Sequence, residues 1–227
     1  MISIVIPSYN EAENLPETLK ALAQVLESAI ADSQYEIIVV DDHSTDQSLE
    51  VVTSLLDDRV RCIRLSRRSG SHIAVRAGLL EARGEVVLCT AADGQDDPLA
   101  LTAMLEQWHK GYQVIWACRQ NRQGEPLVYR LTTQLFYNFL AFVCKASSEE
   151  RVLVSNADFF LLDRVVVDAL NSCGETQTSL FGLILWGGFK QTSVEYVRKA
   201  RRAGQSKWNF SKRVSLAKDW VLAFSGF

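Results

Sequence analysis

Short β-branched runs alternate with stretches of helical spacing through the first half of the chain, and that rhythm leaves few folds open. It builds βαβ units, which stack into a parallel sheet with helices on both faces. Ile2–Ile6 reads as the first strand. Pro7-Ser8-Tyr9-Asn10 is turn chemistry, and from Glu11 to about Ala31 the apolar residues Leu15, Leu19, Leu22, Val25 and Leu26 fall at helical spacing. Further strands are expected at Glu36–Val40, Val60–Leu65, Glu85–Thr90 and Gln113–Cys118, with helices through about Leu56, over Ser71–Ala82 and after Pro98. The polar loop from Asp41 to Asp46 offers N-cap candidates for the second helix.

Beyond Arg119 the rhythm loosens. A helical stretch runs from about Leu127 to Cys144, an extended piece lies near Asp158–Leu162, a short helix follows Asp163, and a strand fits Gln191–Arg198. No repeat or linker divides the chain, so residues 1–227 read as one α/β domain. The longest apolar stretches, Leu135–Cys144 and Leu180–Phe189, fall short of the roughly 18–20 residues of a spanning helix. No basic segment precedes the first apolar run, so neither a transmembrane helix nor a signal peptide is expected. Five cysteines, odd in number and far apart, suggest neither a disulfide framework nor a zinc site, which fits a reducing cytoplasm. His43, His72 and His109 are isolated and read as structural or exposed.

Charge is unevenly spread. Between Tyr196 and Lys218 stand eight Lys or Arg and no acid, whereas the whole chain has a net charge of −3. Lys207–Phe227 interleaves Trp208, Phe210, Trp220, Phe224 and Phe227 with Lys207, Lys212, Arg213 and Lys218, an amphipathic basic-aromatic helix suited to a membrane interface. Nucleic acid is not an expected partner, because the rest of the chain is negative.

In open parallel sheets, ligands bind at the carboxyl ends of the strands. There the chain places Tyr9-Asn10-Glu11 after strand one, Asp41-Asp42 after strand two, and Asp93-Gly94-Gln95-Asp96-Asp97 after strand four. The GxGxxG of a dinucleotide site and the P-loop are both absent. An acidic mouth repels a bare pyrophosphate unless a divalent cation bridges them. Mg²⁺ or Mn²⁺ prefers carboxylate, amide and water oxygens of the kind Asp93 and Gln95 offer. These residues have structural readings too: Asp41-Asp42 suit a helix cap, Asp93, Asp96 and Asp97 suit the helix N-terminus at Pro98, and Asp158 suits a structural hydrogen bond.

Three segments in order carry a resemblance: Ile4-Val5-Ile6-Pro7-Ser8-Tyr9-Asn10-Glu11, Val39-Val40-Asp41-Asp42-His43-Ser44-Thr45-Asp46, and Asp93-Gly94-Gln95-Asp96-Asp97-Pro98. Together they resemble the signatures of family 2 inverting glycosyltransferases. Leu65-Ser66-Arg67 with Gly70, Ala157-Asp158-Phe159 with Leu161-Leu162-Asp163-Arg164, and Arg201-Arg202-Ala203-Gly204-Gln205-Ser206-Lys207 are similar to motifs of its polyprenyl-phosphate, dolichol-phosphate mannose synthase-like group.

The resemblance implies a nucleotide-diphospho-sugar transferase (GT-A type) fold, with a mostly parallel sheet flanked by helices and a C-terminal amphipathic helix. Residues 1–118 would be the nucleotide-sugar half, 119–206 the acceptor half and 207–227 the membrane-interface helix. Pro7, Tyr9, Glu11 and Asp41 would hold the base and ribose of a UDP- or GDP-linked sugar, and Asp93 and Gln95 would address Mg²⁺ or Mn²⁺ and the diphosphate. Asp158 matches the general base. Arg201, Ser206 and Lys207 match the segment that receives the phosphate of a dolichyl or undecaprenyl acceptor, where an Arg fork and a Lys point charge suit a phosphate monoester. The expected reaction is in-line displacement at the anomeric carbon, on the cytoplasmic face of a membrane, with homo-oligomerisation supplementing a weak anchor. Two departures stand out: the acidic DxD pattern begins at Ala91, and Phe160 stands where the group has Arg.

Overall fold

The computed structural model describes residues 1–29, 34–119, 157–174 and 180–198. Strands β1 (Ile2–Ser8), β2 (Tyr35–Asp41), β3 (Val60–Arg64), β4 (Val86–Cys89), β5 (Val114–Arg119), β6 (Ala157–Asp163) and β7 (Gln191–Tyr196) form one sheet in the order β3-β2-β1-β4-β6-β5-β7. The helices are α1 (Leu15–Ala29), α2 (Ser48–Ser54), α3 (Ser71–Glu81), α4 (Ala100–His109), α5 (Arg164–Ser172) and α6 (Leu180–Trp186). Neighbouring strands run parallel except β6, which is antiparallel to both β4 and β5. The expected helices at Leu127–Cys144 and Lys207–Phe227 lie outside the described residues.

The central strands are apolar on both faces because both faces are covered. Successive side chains alternate sides, so Ile4, Ile6, Ile37 and Val39 join Leu15, Leu19, Leu22 and Leu26 of α1 and Leu101 and Met104 of α4. Val5, Ile38 and Val40 face the other way, into a core with Ala74 and Leu79 of α3, Val166 and Leu170 of α5, and Leu183 of α6. Burying each such side chain contributes about 1.5–3 kcal/mol. Gly78 lets α3 lie close on the sheet, since a Cβ there would collide with the Val5 side chain. Asp163 caps α5, its side chain accepting from the Val165 amide at 2.9 Å.

At the amino-terminal edge, Glu36 is buried and accepts from Ser3 Oγ, the Arg83 amide and Arg61 Nη2, each at 2.7 Å. Burial pushes this carboxyl upward, but the three bonds outweigh it and hold the group below its ordinary range. The opposite, carboxyl-terminal edge carries the polar loops.

Two features were not legible in the alternating pattern. Helix α6 is apolar almost all round, so it has no amphipathic stripe to betray it. The reversed β6 follows β5 across a long connection, where βαβ rhythm says nothing of direction. Its reversal matters, because it brings the start of β6, not its end, to the edge where the parallel strands terminate: Cys89 pairs with Phe160, and Cys118 with Ala157.

Candidate active site

The loops after β1 and β2 are stitched together. Thr45 donates its amide to Asn10 Oδ1 at 2.8 Å, the Asn10 amide donates to Ser44 Oγ at 2.9 Å, and the Glu11 amide donates to Ser48 Oγ at 2.8 Å. Both loops turn through left-handed residues, Asn10 with φ 53° and His43 with φ 58°. Such conformations persist only where surroundings over-determine them, and they concentrate at binding sites.

Asp41, 1% exposed, accepts from the Ser44 amide at 3.2 Å and lies 3.6 Å from Arg64 Nε. Asp42 is also buried and accepts hydrogen bonds from the amides of Ser69 at 2.6 Å and Gly70 at 2.8 Å. It thereby ties down the β3–α3 loop, which holds the Arg68 guanidinium 3.9 Å above the Tyr9 ring. That contact is a cation–π stack on the residue expected to meet the base. Glu11 is buried and accepts from Asn14 Nδ2 at 2.7 Å, while Pro7 is half-buried within β1 and pairs in register with Val40.

The loop after β4 separates its aspartates by role. Asp96 is buried: Thr90 Oγ1 and the Ala91 amide donate to its Oδ2 at 2.9 and 3.0 Å, and the Tyr196 hydroxyl to its Oδ1 at 3.2 Å. It buttresses the loop against β7. Gly94 turns the loop at φ 67°, where an added Cβ would come within 3.3 Å of Thr18 Oγ1. Asp93 and Gln95 flank that glycine, and the Gln95 amide donates to Asp93 Oδ1 at 3.2 Å.

Arg198 completes this corner. Its Nη2 donates to Gln95 Oε1 at 2.9 Å and stands 4.0 Å from Asp93 Oδ2. One guanidinium nitrogen thus bonds the Gln95 oxygen and stands near the Asp93 carboxylate, which places both residues about the same cation. Both donors are oxygens, the set Mg²⁺ and Mn²⁺ prefer. Among the described residues no cluster of three His, Cys, Asp or Glu is set to hold a metal.

Asp158 lies on β6 at an irregularity of pairing: Ala117 pairs with Phe159 and Cys118 with Ala157, leaving Asp158 as the extra residue. Bulges of this kind recur next to active sites. Phe160 is buried with Trp116 and Phe181, at ring separations of 5.5 and 5.6 Å, so aromatic packing occupies the position where the resemblance expects Arg. Arg201, Ser206 and Lys207 lie outside the described residues. Two side chains that sequence reasoning had not assigned belong to this mouth, Arg68 and Arg198, while Asp42, which the strand-two end placed there with Asp41, holds the β3–α3 loop. Only Arg198 had a signal, its place at the head of the basic run.

A mostly parallel sheet with one reversed strand and polar loops at its carboxyl edge is the fold of GT-A type glycosyltransferases. The Glycosyl transferase family 2 model matches residues 3–170, and the chain belongs to that family. An uncharacterized glycosyltransferase of Bacillus subtilis, YkcC, is 37% identical over 98% of this chain and 68% of its own length. The bactoprenol glucosyl transferase of Shigella phage SfV is 31% identical over 100% of this chain and 72% of its own. Among solved structures, glucosyl-3-phosphoglycerate synthase from Mycobacterium tuberculosis, in complex with Mn²⁺, UDP and phosphoglyceric acid, superposes with TM-score 0.68 at 18% identity, covering 100% of this chain and 79% of that one. The mannosyltransferase PcManGT from Pyrobaculum calidifontis, with GDP-Man and Mn²⁺, gives 0.65 at 18% identity over 99% and 63%.

Proposed function

We propose that this glycosyltransferase moves a sugar from a nucleoside-diphosphate sugar to a polyprenyl phosphate, inverting the anomeric centre. The observation that carries the donor half is the Arg198 guanidinium at the β4 mouth, bonded to Gln95 Oε1 at 2.9 Å and 4.0 Å from Asp93 Oδ2, so that both oxygen donors lie about one cation. The acceptor half rests on similarity, over the whole of this chain and 72% of the relative, to a bactoprenol glucosyl transferase and on the Arg201–Lys207 motif.

In this reading Tyr9, Glu11 and Asp41 line the base and ribose end, with Pro7 shaping the β1 turn. Asp93 and Gln95 would hold Mg²⁺ or Mn²⁺, which supplies charge neutralisation for the departing diphosphate. A phosphate oxygen of the acceptor attacks the anomeric carbon as the bond to the nucleoside diphosphate breaks on the opposite face. Asp158, at the bulge that opens β6, takes the proton when the acceptor phosphate is monoprotonated. Arg201, Ser206 and Lys207 receive that phosphate. The basic-aromatic segment 207–227 docks on the cytoplasmic face of the bilayer, where the lipid acceptor resides. Among the described residues no helix is long and apolar enough to cross a membrane.

The test is transfer in detergent from a panel of UDP- and GDP-sugars to undecaprenyl phosphate, with Mn²⁺, read by mass spectrometry of the lipid. A glycosylated lipid phosphate formed from one donor is the expected product. Transfer to an oligosaccharide but not to the lipid would refute the acceptor assignment.

A further inference from the structure

We infer that Arg198 is a resident counter-cation of the Asp93–Gln95 pair that suppresses metal binding until the nucleoside diphosphate arrives, so that metal and nucleotide bind cooperatively. The inference rests on the reading of Asp93 and Gln95 as the metal pair and goes beyond it to the order in which the site fills.

Arg198 Nη2 makes its 2.9 Å bond to the same Gln95 oxygen that would face the ion, and stands 4.0 Å from Asp93 Oδ2. Its side chain is 23% exposed and that of Asp93 15%, so the two charges interact where water screens them only in part. A divalent ion entering alone must displace the guanidinium from Gln95 and then sit beside a fixed positive charge. Ala91 stands where the family pattern has another acid, so that position offers the ion no compensating carboxylate.

A diphosphate changes this balance. It brings negative oxygens that accept from a guanidinium fork and coordinate the ion together. Arg198 then exchanges Gln95 for phosphate, leaving both protein oxygens to the metal. The residue is well placed for this, since it follows the last residue of β7 by two positions and the strand is anchored beside the loop by the Tyr196–Asp96 bond. Arg198 is thus a positioning residue in the empty site and a phosphate ligand in the filled one.

The signature is a gain where a structural defect gives only loss. Calorimetric titration of Mn²⁺ into wild type, Arg198→Gln and Asp93→Asn, each with and without UDP or GDP, separates the possibilities. For wild type, the cognate nucleotide should tighten Mn²⁺ binding by about tenfold or more, the ordinary range of a coupling free energy. In Arg198→Gln, Mn²⁺ alone should bind several-fold tighter than to wild type, the nucleotide should bind more weakly, and the coupling should shrink. Unchanged or weaker Mn²⁺ binding to Arg198→Gln, with Asp93→Asn abolishing it, overturns the role of Arg198 and leaves the metal pair standing. Undiminished Mn²⁺ binding in Asp93→Asn overturns the metal pair, and this inference with it. Melting curves of the three proteins confirm that each is folded.

Discussion

Asp96 sits within the acidic loop, yet its three bonds mark it as a buttress, and removing them has a calculable effect. Asp96→Ala deletes the acceptor for Thr90 Oγ1, the Ala91 amide and the Tyr196 hydroxyl in a place where Asp96 is 7% exposed. At about 1 kcal/mol per net hydrogen bond, and more where the stranded donor is a buried amide, the loss is about 3–4 kcal/mol. For a chain of this size that lowers the melting temperature by about 10 °C. Asp96→Asn behaves differently. Its amide oxygen can take over the Oδ2 role toward Thr90 and Ala91, and its NH₂ can donate to the Tyr196 oxygen, so the cost falls to about 1 kcal/mol, the loss of charge assistance. Thermal unfolding and Mn²⁺-dependent nucleotide binding, measured on both variants, check the assignment. The buttress requires Asp96→Asn to bind nearly as wild type while Asp96→Ala melts early and binds poorly. An Asp96→Asn protein that melts like wild type but loses Mn²⁺-dependent binding would refute it and make Asp96 a ligand.

Three further outcomes follow from the same geometry. Asp158→Asn should reduce turnover by about 10²-fold or more with little change in nucleotide affinity, since it removes a proton acceptor and keeps the shape; wild-type rates would end that assignment. Ala91→Asp should tighten Mn²⁺-dependent nucleotide binding by about 1 kcal/mol if the missing acid has cost a contact, and calorimetry showing weaker binding would contradict it. His72 accepts the Leu180 amide at 3.2 Å between α3 and α6, and burial pushes its pKa from 6.5 down to about 4. Because the unfolded chain protonates first, stability should fall as pH drops from about 6.5 to about 4, by about 3 kcal/mol in all. His72→Gln should flatten that slope in urea titrations across the same pH window.

The half of the fold built from βαβ units was readable element by element, because the central strands had to be apolar on both faces and the helices on one. The expected strand Glu36–Val40 became Tyr35–Asp41 and the helix Ser71–Ala82 became Ser71–Glu81, shifts confined to element ends. The direction of β6 was not readable, since pairing is decided by partners distant in sequence. The site divides in the same way. Which loops form the mouth follows from the strand ends, whereas the work of each acid depends on contacts no spacing encodes. Asp93 and Asp96 stand three residues apart in one acidic run, yet one faces Arg198 and the other is bound by Thr90, Ala91 and Tyr196. The Arg68 stack on Tyr9 likewise joins segments nearly 60 residues apart, held by the two hydrogen bonds that the Asp42 carboxylate accepts from the Ser69 and Gly70 amides.

The central claim is that the mouth formed by β1, β2 and β4 takes a nucleoside diphosphate together with a divalent ion. The most direct measurement is the melting temperature of wild type and Asp93→Asn in the presence of UDP, GDP and CDP, each with and without Mn²⁺. A ligand that binds only the folded protein raises stability by RT ln(1 + [L]/Kd). One nucleotide should raise the melting temperature of wild type in the presence of Mn²⁺, with the increase lost in Asp93→Asn. A shift of equal size without metal, or one that survives Asp93→Asn, would contradict the account.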